Sequence, residues 1–198
     1  VGAALLAKQN GLPCFVSDGG RLREEHRKEL SAASIEFEEG SHSEERIMKA
    51  HLVIKSPGIP EKNELVKKIR LKGIEVISEI EWASRFMGDS KVIAITGSNG
   101  KTTTTALTFH ICRHANLDCA LVGNIGTSFA RQVAEDPKPW YIVEVSSFQL
   151  DDIVHFRPHV AILTNITEDH LDRYEYIFNN YIRSKFRITM NQQATDHF

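Results

Sequence analysis

The 198-residue chain carries 24 Lys and Arg against 26 Asp and Glu, a net charge of −2, with 41% hydrophobic and 25% charged residues. That composition suits one large or two small globular domains with a packed core, and the lack of a basic excess gives no footprint for nucleic acid. No apolar run reaches the roughly 20 residues that cross a bilayer, no basic-then-apolar leader opens the chain, and Cys14, Cys112 and Cys119 lack C-x-x-C spacing, so a cytoplasmic protein with reduced thiols and no cysteine-bound metal is expected.

In chain order, Val1 to Gly11 reads as a helix closed by Asn10-Gly11, and Pro13 to Val16 as a short buried strand ending at Ser17-Asp18-Gly19-Gly20. A helix followed at once by a strand suggests a dinucleotide-type α/β unit whose first strand and glycine loop precede Val1. Residues 21–33 are charged and helix-prone, Ser34 to Glu38 alternate as an exposed strand, and Leu52-Val53-Ile54 is a compact apolar run before Ser56-Pro57-Gly58. Glu64 to Leu71 has helical spacing and Gly73 to Ile77 supplies another strand. Asp18 and Gly58 follow the carboxyl ends of predicted strands, where open α/β sheets bind ligands, although an acidic residue or a Pro-Gly there also serves as plain turn chemistry. Trp82 to Met87 ends a helix, and Gly88-Asp89-Ser90 makes the predicted domain boundary.

The most informative stretch is Val92 to Thr103. Four apolar residues lead into Thr96-Gly97-Ser98-Asn99-Gly100-Lys101-Thr102-Thr103 and a helix-prone run to His114. Strand, glycine turn and helix in that order cradle a polyphosphate: the glycines let successive N–H groups and the helix N-terminus face the anion, Lys101 adds a point charge, and the Thr102 hydroxyl suits magnesium. The common G-x-x-x-x-G-K-[ST] pattern is met only in part, because Ile95 stands where its first glycine would be.

Cys119 to Val122 predicts a strand ending at Gly123-Asn124-Ile125-Gly126. Trp140 to Val145 predicts one buried on both faces with Glu144 near its carboxyl end, and His159 to Leu163 one leading to Thr164-Asn165-Ile166-Thr167-Glu168-Asp169-His170. If these strands are parallel, Lys101, Thr102, Glu144, Asp169 and His170 converge on one sheet edge. His110 and His114 share a helix face but have no third ligand nearby, and they receive no metal role. A last helix is expected from about Tyr174 to Thr189, with Tyr174, Ile177, Phe178, Tyr181, Ile182 and Phe186 forming an apolar stripe. Lys185 falls on that stripe, where its amine is either partly buried with a lowered pKa or carried out to water by its stem.

The segments T-G-S-N-G-K-T-T at 96–103, G-N-I-G at 123–126, E-V-S-S-F-Q-L at 144–150, N-I-T-E-D-H-L-D-R-Y at 165–174 and S-K-F-R-I at 184–188 resemble the Mur ligases, which build the peptide stem of bacterial peptidoglycan. The combination of S-S-F-Q-L with E-D-H-L-D-R-Y looks particular to the family member that adds D-glutamate. The resemblance implies an α/β fold with a Rossmann-like, UDP-sugar-binding unit at 1–89 lacking its first strand. The front of a P-loop-type, parallel-sheet ATP-binding domain follows at 90–198. It also implies an ATP-dependent amide ligase acting on UDP-N-acetylmuramoyl-L-alanine and D-glutamate through an acyl phosphate, as a cytoplasmic bacterial monomer without membrane insertion. By position, residues Thr96 to Thr103 would hold ATP, and Thr102, Glu144, His170 and Lys185 would serve two magnesium ions, Lys185 as a carbamate. Asn124, His170, Asp18 and Gly58 would face the sugar nucleotide. The family continues into a third domain that this chain lacks, so no turnover by these 198 residues alone is expected.

Overall fold

Short apolar runs that alternate with helical segments leave each strand to be joined to its neighbour by a crossover, and such strands pair in parallel. The computed structural model, which describes residues 1–198, shows this throughout. The first half contains α1 (Gly2–Gln9), β1 (Phe15–Asp18), α2 (Glu24–Ala32), β2 (Glu36–Glu39), α3 (Glu44–Ile47), β3 (Leu52–Ile54), α4 (Glu64–Leu71), β4 (Glu75–Ile77) and α5 (Glu79–Ser84). β1 pairs with β2 and β3 with β4, giving two separate two-stranded parallel sheets.

The second half contains β5 (Lys91–Thr96), α6 (Lys101–His114), β6 (Cys119–Gly123), α7 (Phe129–Glu135), β7 (Trp140–Glu144), α8 (Ser147–Leu150), β8 (Val160–Leu163) and α9 (Phe178–Phe186). Its sheet runs β6-β7-β5-β8, all parallel. Ile95 on β5 stands opposite Glu144 on β7 and Ile162 on β8, so three strand ends share one edge. β7 is buried because it lies inside the sheet, which explains its unbroken apolar run. The three cysteines are free, and no helix is long and apolar enough to cross a membrane.

The last helix differs from the sequence expectation. A 3-10 turn covers Leu171–Arg173, and Glu175 and Tyr176 then take left-handed φ values of 57° and 56°. Two such residues in succession cannot continue a right-handed helix. The α-helix therefore begins only at Phe178 and stops at Phe186, passing into a 3-10 turn at Arg187–Thr189. Ile177 and Phe186 are exposed, whereas Tyr174, Tyr181, Lys185 and Ile188 are buried.

The main core crosses the expected boundary at residue 89. Leu6, Ala7, Ile77, Ile80, Trp82 and Ala83 pack in one cluster with Val92, Val122, Phe129, Tyr141 and Phe156. α1 approaches α7 so closely that a Cβ on Gly2 would lie 2.2 Å from Ser128 Oγ. α5 is fastened by Glu81, fully buried, whose Oε2 accepts the backbone N–H groups of Val154 (3.0 Å), His155 (2.9 Å) and Phe156 (2.7 Å). Arg85 Nε donates to its other oxygen at 3.0 Å. Glu81→Ala strands those donors, and thermal or urea unfolding should show a loss of about 3 kcal/mol. A loss within experimental error would show that the 154–156 segment does not depend on this carboxylate.

Candidate functional site

The loop after β5 is shaped by an approach that only glycine permits. Gly97 has φ 144°, and a Cβ there would lie 2.0 Å from Thr164 Oγ1 and 3.1 Å from Asn165 O. The segment after β8 ties the loop down. Ser98 N donates to Asn165 O at 2.9 Å, Asn99 N to Asn165 Oδ1 at 3.0 Å, and Thr164 Oγ1 to Asn99 O at 2.7 Å. Gly100, left-handed at φ 79°, is the N-cap of the 14-residue α6. Lys101 folds back over the loop, its Nζ donating to Gly97 O and Ser98 O at 2.9 Å each.

At the end of β7, Glu144 is only 1% exposed. Its Oε1 accepts from Asn124 Nδ2 at 2.8 Å, while Oε2 has no hydrogen-bond partner. A buried carboxylate with one open oxygen is costly unless something cationic meets it. Lys185 on α9 is 2% exposed and does not reach water; its Nζ donates to Gly97 O at 2.8 Å and Thr96 Oγ1 at 3.4 Å. Burial, with the charge of Lys101 adding to it, brings the Lys185 ammonium down to about 8 from lysine's 10.5.

Gly58, Lys101, Asn124, His170 and Lys185 line one cavity of about 230 Å³. His170 is exposed, with left-handed φ 51°, its Nε2 3.5 Å from Asp169 Oδ2 and its ring 5.1 Å from Phe148. Thr102 and Thr103 lie exposed at the start of α6. Asp18 is not among the lining residues; it stands at the end of the β1–β2 sheet, where its Oδ1 accepts Gly20 N–H at 2.8 Å as turn chemistry. Sequence reasoning missed Tyr181, whose OH lies 3.1 Å from Ser98 Oγ and which also lines the cavity. Its place on the apolar stripe beside Lys185 was the available signal. A larger cavity of about 320 Å³ lies elsewhere, lined in part by Arg85, Arg157 and His159. Its arginines are already paired with Glu75, Glu81 and Asp196, so it offers no free cation for chemistry.

No three His, Cys, Asp or Glu side chains gather into a metal-binding group. Magnesium does not need one: it is commonly held by one or two carboxylates together with water and phosphate oxygens. Glu144, with its unpartnered buried oxygen beside a phosphate-type loop, fits that habit. The loop's glycine geometry and the start of α6 likewise fit a polyphosphate.

The Lys185 amine makes a pH prediction. Below about pH 8 both folded and unfolded chains hold its proton, and folding bears the cost of burying the charge. Between pH 8 and 10.5 the folded chain has released a proton that the unfolded chain keeps, so this group makes stability rise with pH through that window. Comparing Lys185→Met with the parent chain by denaturant titration should remove a rise on the order of 3 kcal/mol. Identical pH profiles would show that the amine is not perturbed.

Residues 95–198 match the model of the Mur ligase middle domain, over half of the chain, and residues 3–65 match that of the MurD N-terminal domain. The chain is 56% identical to a UDP-N-acetylmuramoylalanine–D-glutamate ligase of Cytophaga hutchinsonii and 53% identical to one of Bacteroides thetaiotaomicron. Each match covers 100% of this chain and 44% of the relative, so the chain spans less than half the length of these curated relatives. Among solved structures, the UDP-N-acetylmuramate:L-alanyl-gamma-D-glutamyl-meso-diaminopimelate ligase of Neisseria meningitides aligns with TM-score 0.59 at 22% identity, covering 95% of this chain and 64% of that one. The UDP-N-acetylmuramate-alanine ligase of Thermotoga maritima aligns with TM-score 0.56 at 22% identity, covering 96% of this chain and 44% of that one. At that identity the structural likeness speaks for the fold. By the match of the middle-domain model over more than half its length, this chain belongs to the Mur ligase family.

Proposed function

We propose that these residues carry the phosphate site and part of the sugar-nucleotide site of an ATP-dependent amide ligase. It would join D-glutamate to UDP-N-acetylmuramoyl-L-alanine in peptidoglycan precursor synthesis, as a cytoplasmic monomer. The single observation that carries the reading is the meeting of Lys101, Asn124, His170 and Lys185 around one cavity; Glu144 lies behind that lining, joined to it by the Asn124 hydrogen bond to its Oε1. In this reading residues 1–89 are a Rossmann-like unit for the uridine diphosphate end. Residues 90–198 are the front of a P-loop-type ATP-binding domain.

The proposed roles follow from the chemistry of each group. Backbone N–H groups of the 96–103 loop, with the start of α6, hold ATP phosphates, and Lys101 trades its two loop carbonyls for phosphate oxygens. Thr102 and Glu144 are assigned to one magnesium ion, and His170 and Lys185 to a second. Magnesium, when bound, neutralises charge on the phosphoryl group being transferred. Lys185 is suited to carbamate formation because its lowered pKa leaves more of the amine unprotonated at neutral pH. Its lone pair adds to carbon dioxide, one proton leaves, and the side chain becomes an anion. Asn124 orients Glu144 and, with His170 and the Gly58 turn, faces the muramoyl substrate. Asp18 is assigned to the distant uridine end, consistent with its place on a separate sheet.

Calorimetric titration with UDP-N-acetylmuramoyl-L-alanine tests this directly, with a folate as control for the alternative of a related amide ligase of the folylpolyglutamate synthetase type. Saturable binding of the sugar nucleotide and none of the folate is expected. Binding of the folate alone would overturn the substrate assignment. In parallel, Lys101→Ala should abolish ATP binding, and retained ATP affinity in that variant would remove the loop from the phosphate site.

A further inference from the structure

The turn between β3 and α4 forms a wall of the cavity with Pro57 and Gly58, although every other lining residue, from Lys101 to Lys185, belongs to the second half of the chain. Two basic side chains hold it. At its root, the buried Lys55 amine donates to Ile59 O at 2.9 Å and pairs with Asp152 Oδ2 at 3.0 Å. At its tip, the Arg173 guanidinium donates from Nη1 to Gly58 O at 3.2 Å and from Nη2 to Pro57 O at 3.1 Å and Ile59 O at 3.4 Å. Arg173 also lies over the Phe148 ring, 4.3 Å from its centroid. Phe148 lines the same cavity and stacks on the buried Tyr174 at 6.1 Å.

The partners of this guanidinium are carbonyls and an aromatic face instead of a carboxylate. That choice suits a planar fork, which can donate along its edge and stack through its face at once; an ammonium cannot do both. The break in the last helix explains how it gets there. The left-handed pair Glu175 and Tyr176 ends the 3-10 turn that carries Arg173, so the side chain is delivered beside the first unit instead of along α9. In a trans peptide the carbonyl and N–H point opposite ways, so drawing Pro57 O toward Arg173 turns the Gly58 N–H away from it.

We propose that Arg173 is a positioning residue that fastens the Pro57–Ile59 turn against Phe148, so that this wall of the cavity is formed before the substrate enters. Its effect on the sugar nucleotide rests on the function proposed above. Without the clamp the turn samples open positions, and a ligand that needs the closed one binds more weakly in proportion to the closed fraction.

The test compares the parent chain with Arg173→Ala and Arg173→Lys by amide hydrogen exchange, thermal midpoint and calorimetry with UDP-N-acetylmuramoyl-L-alanine and ATP. Both variants should speed exchange in residues 56–62 and around Phe148 while leaving the midpoint unchanged. Sugar-nucleotide affinity should fall about tenfold, with ATP affinity kept. Lysine should fail to rescue, since it keeps the charge but not the fork. Unchanged exchange at 56–62 would overturn the clamp whether or not any ligand binds, and unchanged sugar-nucleotide affinity would overturn its positioning role. A lowered midpoint with faster exchange throughout the chain would make Arg173 a general structural residue and also overturn the proposal. If the parent chain itself does not bind the sugar nucleotide, the substrate reading fails, and the exchange comparison alone decides the clamp.

Discussion

The buried carboxylate of Glu144 is the constraint around which the second half of the chain is arranged. A carboxylate at 1% exposure, at the end of an inner parallel strand, would destabilise the fold by several kcal/mol if nothing answered it. Asn124 answers one oxygen and leaves the other open. Two lysines stand in the same neighbourhood, yet neither forms an ion pair with it. Lys101 is occupied by Gly97 O and Ser98 O, and Lys185 by Gly97 O. The loop carbonyls thereby occupy both amines and leave the second carboxylate oxygen without a partner; in the proposed reading all three groups would turn to a ligand carrying both phosphate and metal. The cost shows in Lys185, whose proton is loosened by burial and by Lys101.

That arrangement depends on strand order. β5 lies between β7 and β8, so the loop that follows it emerges between the end carrying Glu144 and the end carrying Asn165. Gly97 lets the loop press against the Thr164–Asn165 segment, and the segment's side chains return hydrogen bonds that fix the loop's path. The first half of the chain contributes less chemistry and more support. α1 and α5 pack into the main core, Glu81 gathers the 154–156 backbone, and Lys55 binds Asp152. The Gly58 turn is thus presented to the cavity by elements that share a core with the second sheet.

Much of this was legible in the residues. A glycine turn between an apolar strand and a helix, and a glutamate closing an apolar run, are local signals, and both fell where the strand ends meet. The burial of Lys185 was half legible: its helical phase pointed inward, but only the packing of α9 excludes the snorkelling alternative. The break at Glu175 and Tyr176 was not legible, because apolar spacing continues past those residues, while the exposed pair takes left-handed φ values and Tyr176 N–H turns back to Leu171 O at 2.8 Å. Neither was the separation of Asp18 from the cavity, since a strand-end position says nothing about which sheet the strand joins. Arg173 and Phe148 meet through space and across the helix break, and no period in the sequence records such a contact.

The central claim is that the open oxygen of Glu144 is held for a magnesium ion that arrives with phosphate. Calorimetric ATP titrations of the parent chain and of Glu144→Ala, each with magnesium and with a chelator, test it most directly. Magnesium should strengthen ATP binding to the parent chain, and the variant should lose that gain by about tenfold or more while its magnesium-free affinity stays the same or rises. An equal magnesium effect in both proteins would contradict the account and leave the orphaned carboxylate unexplained.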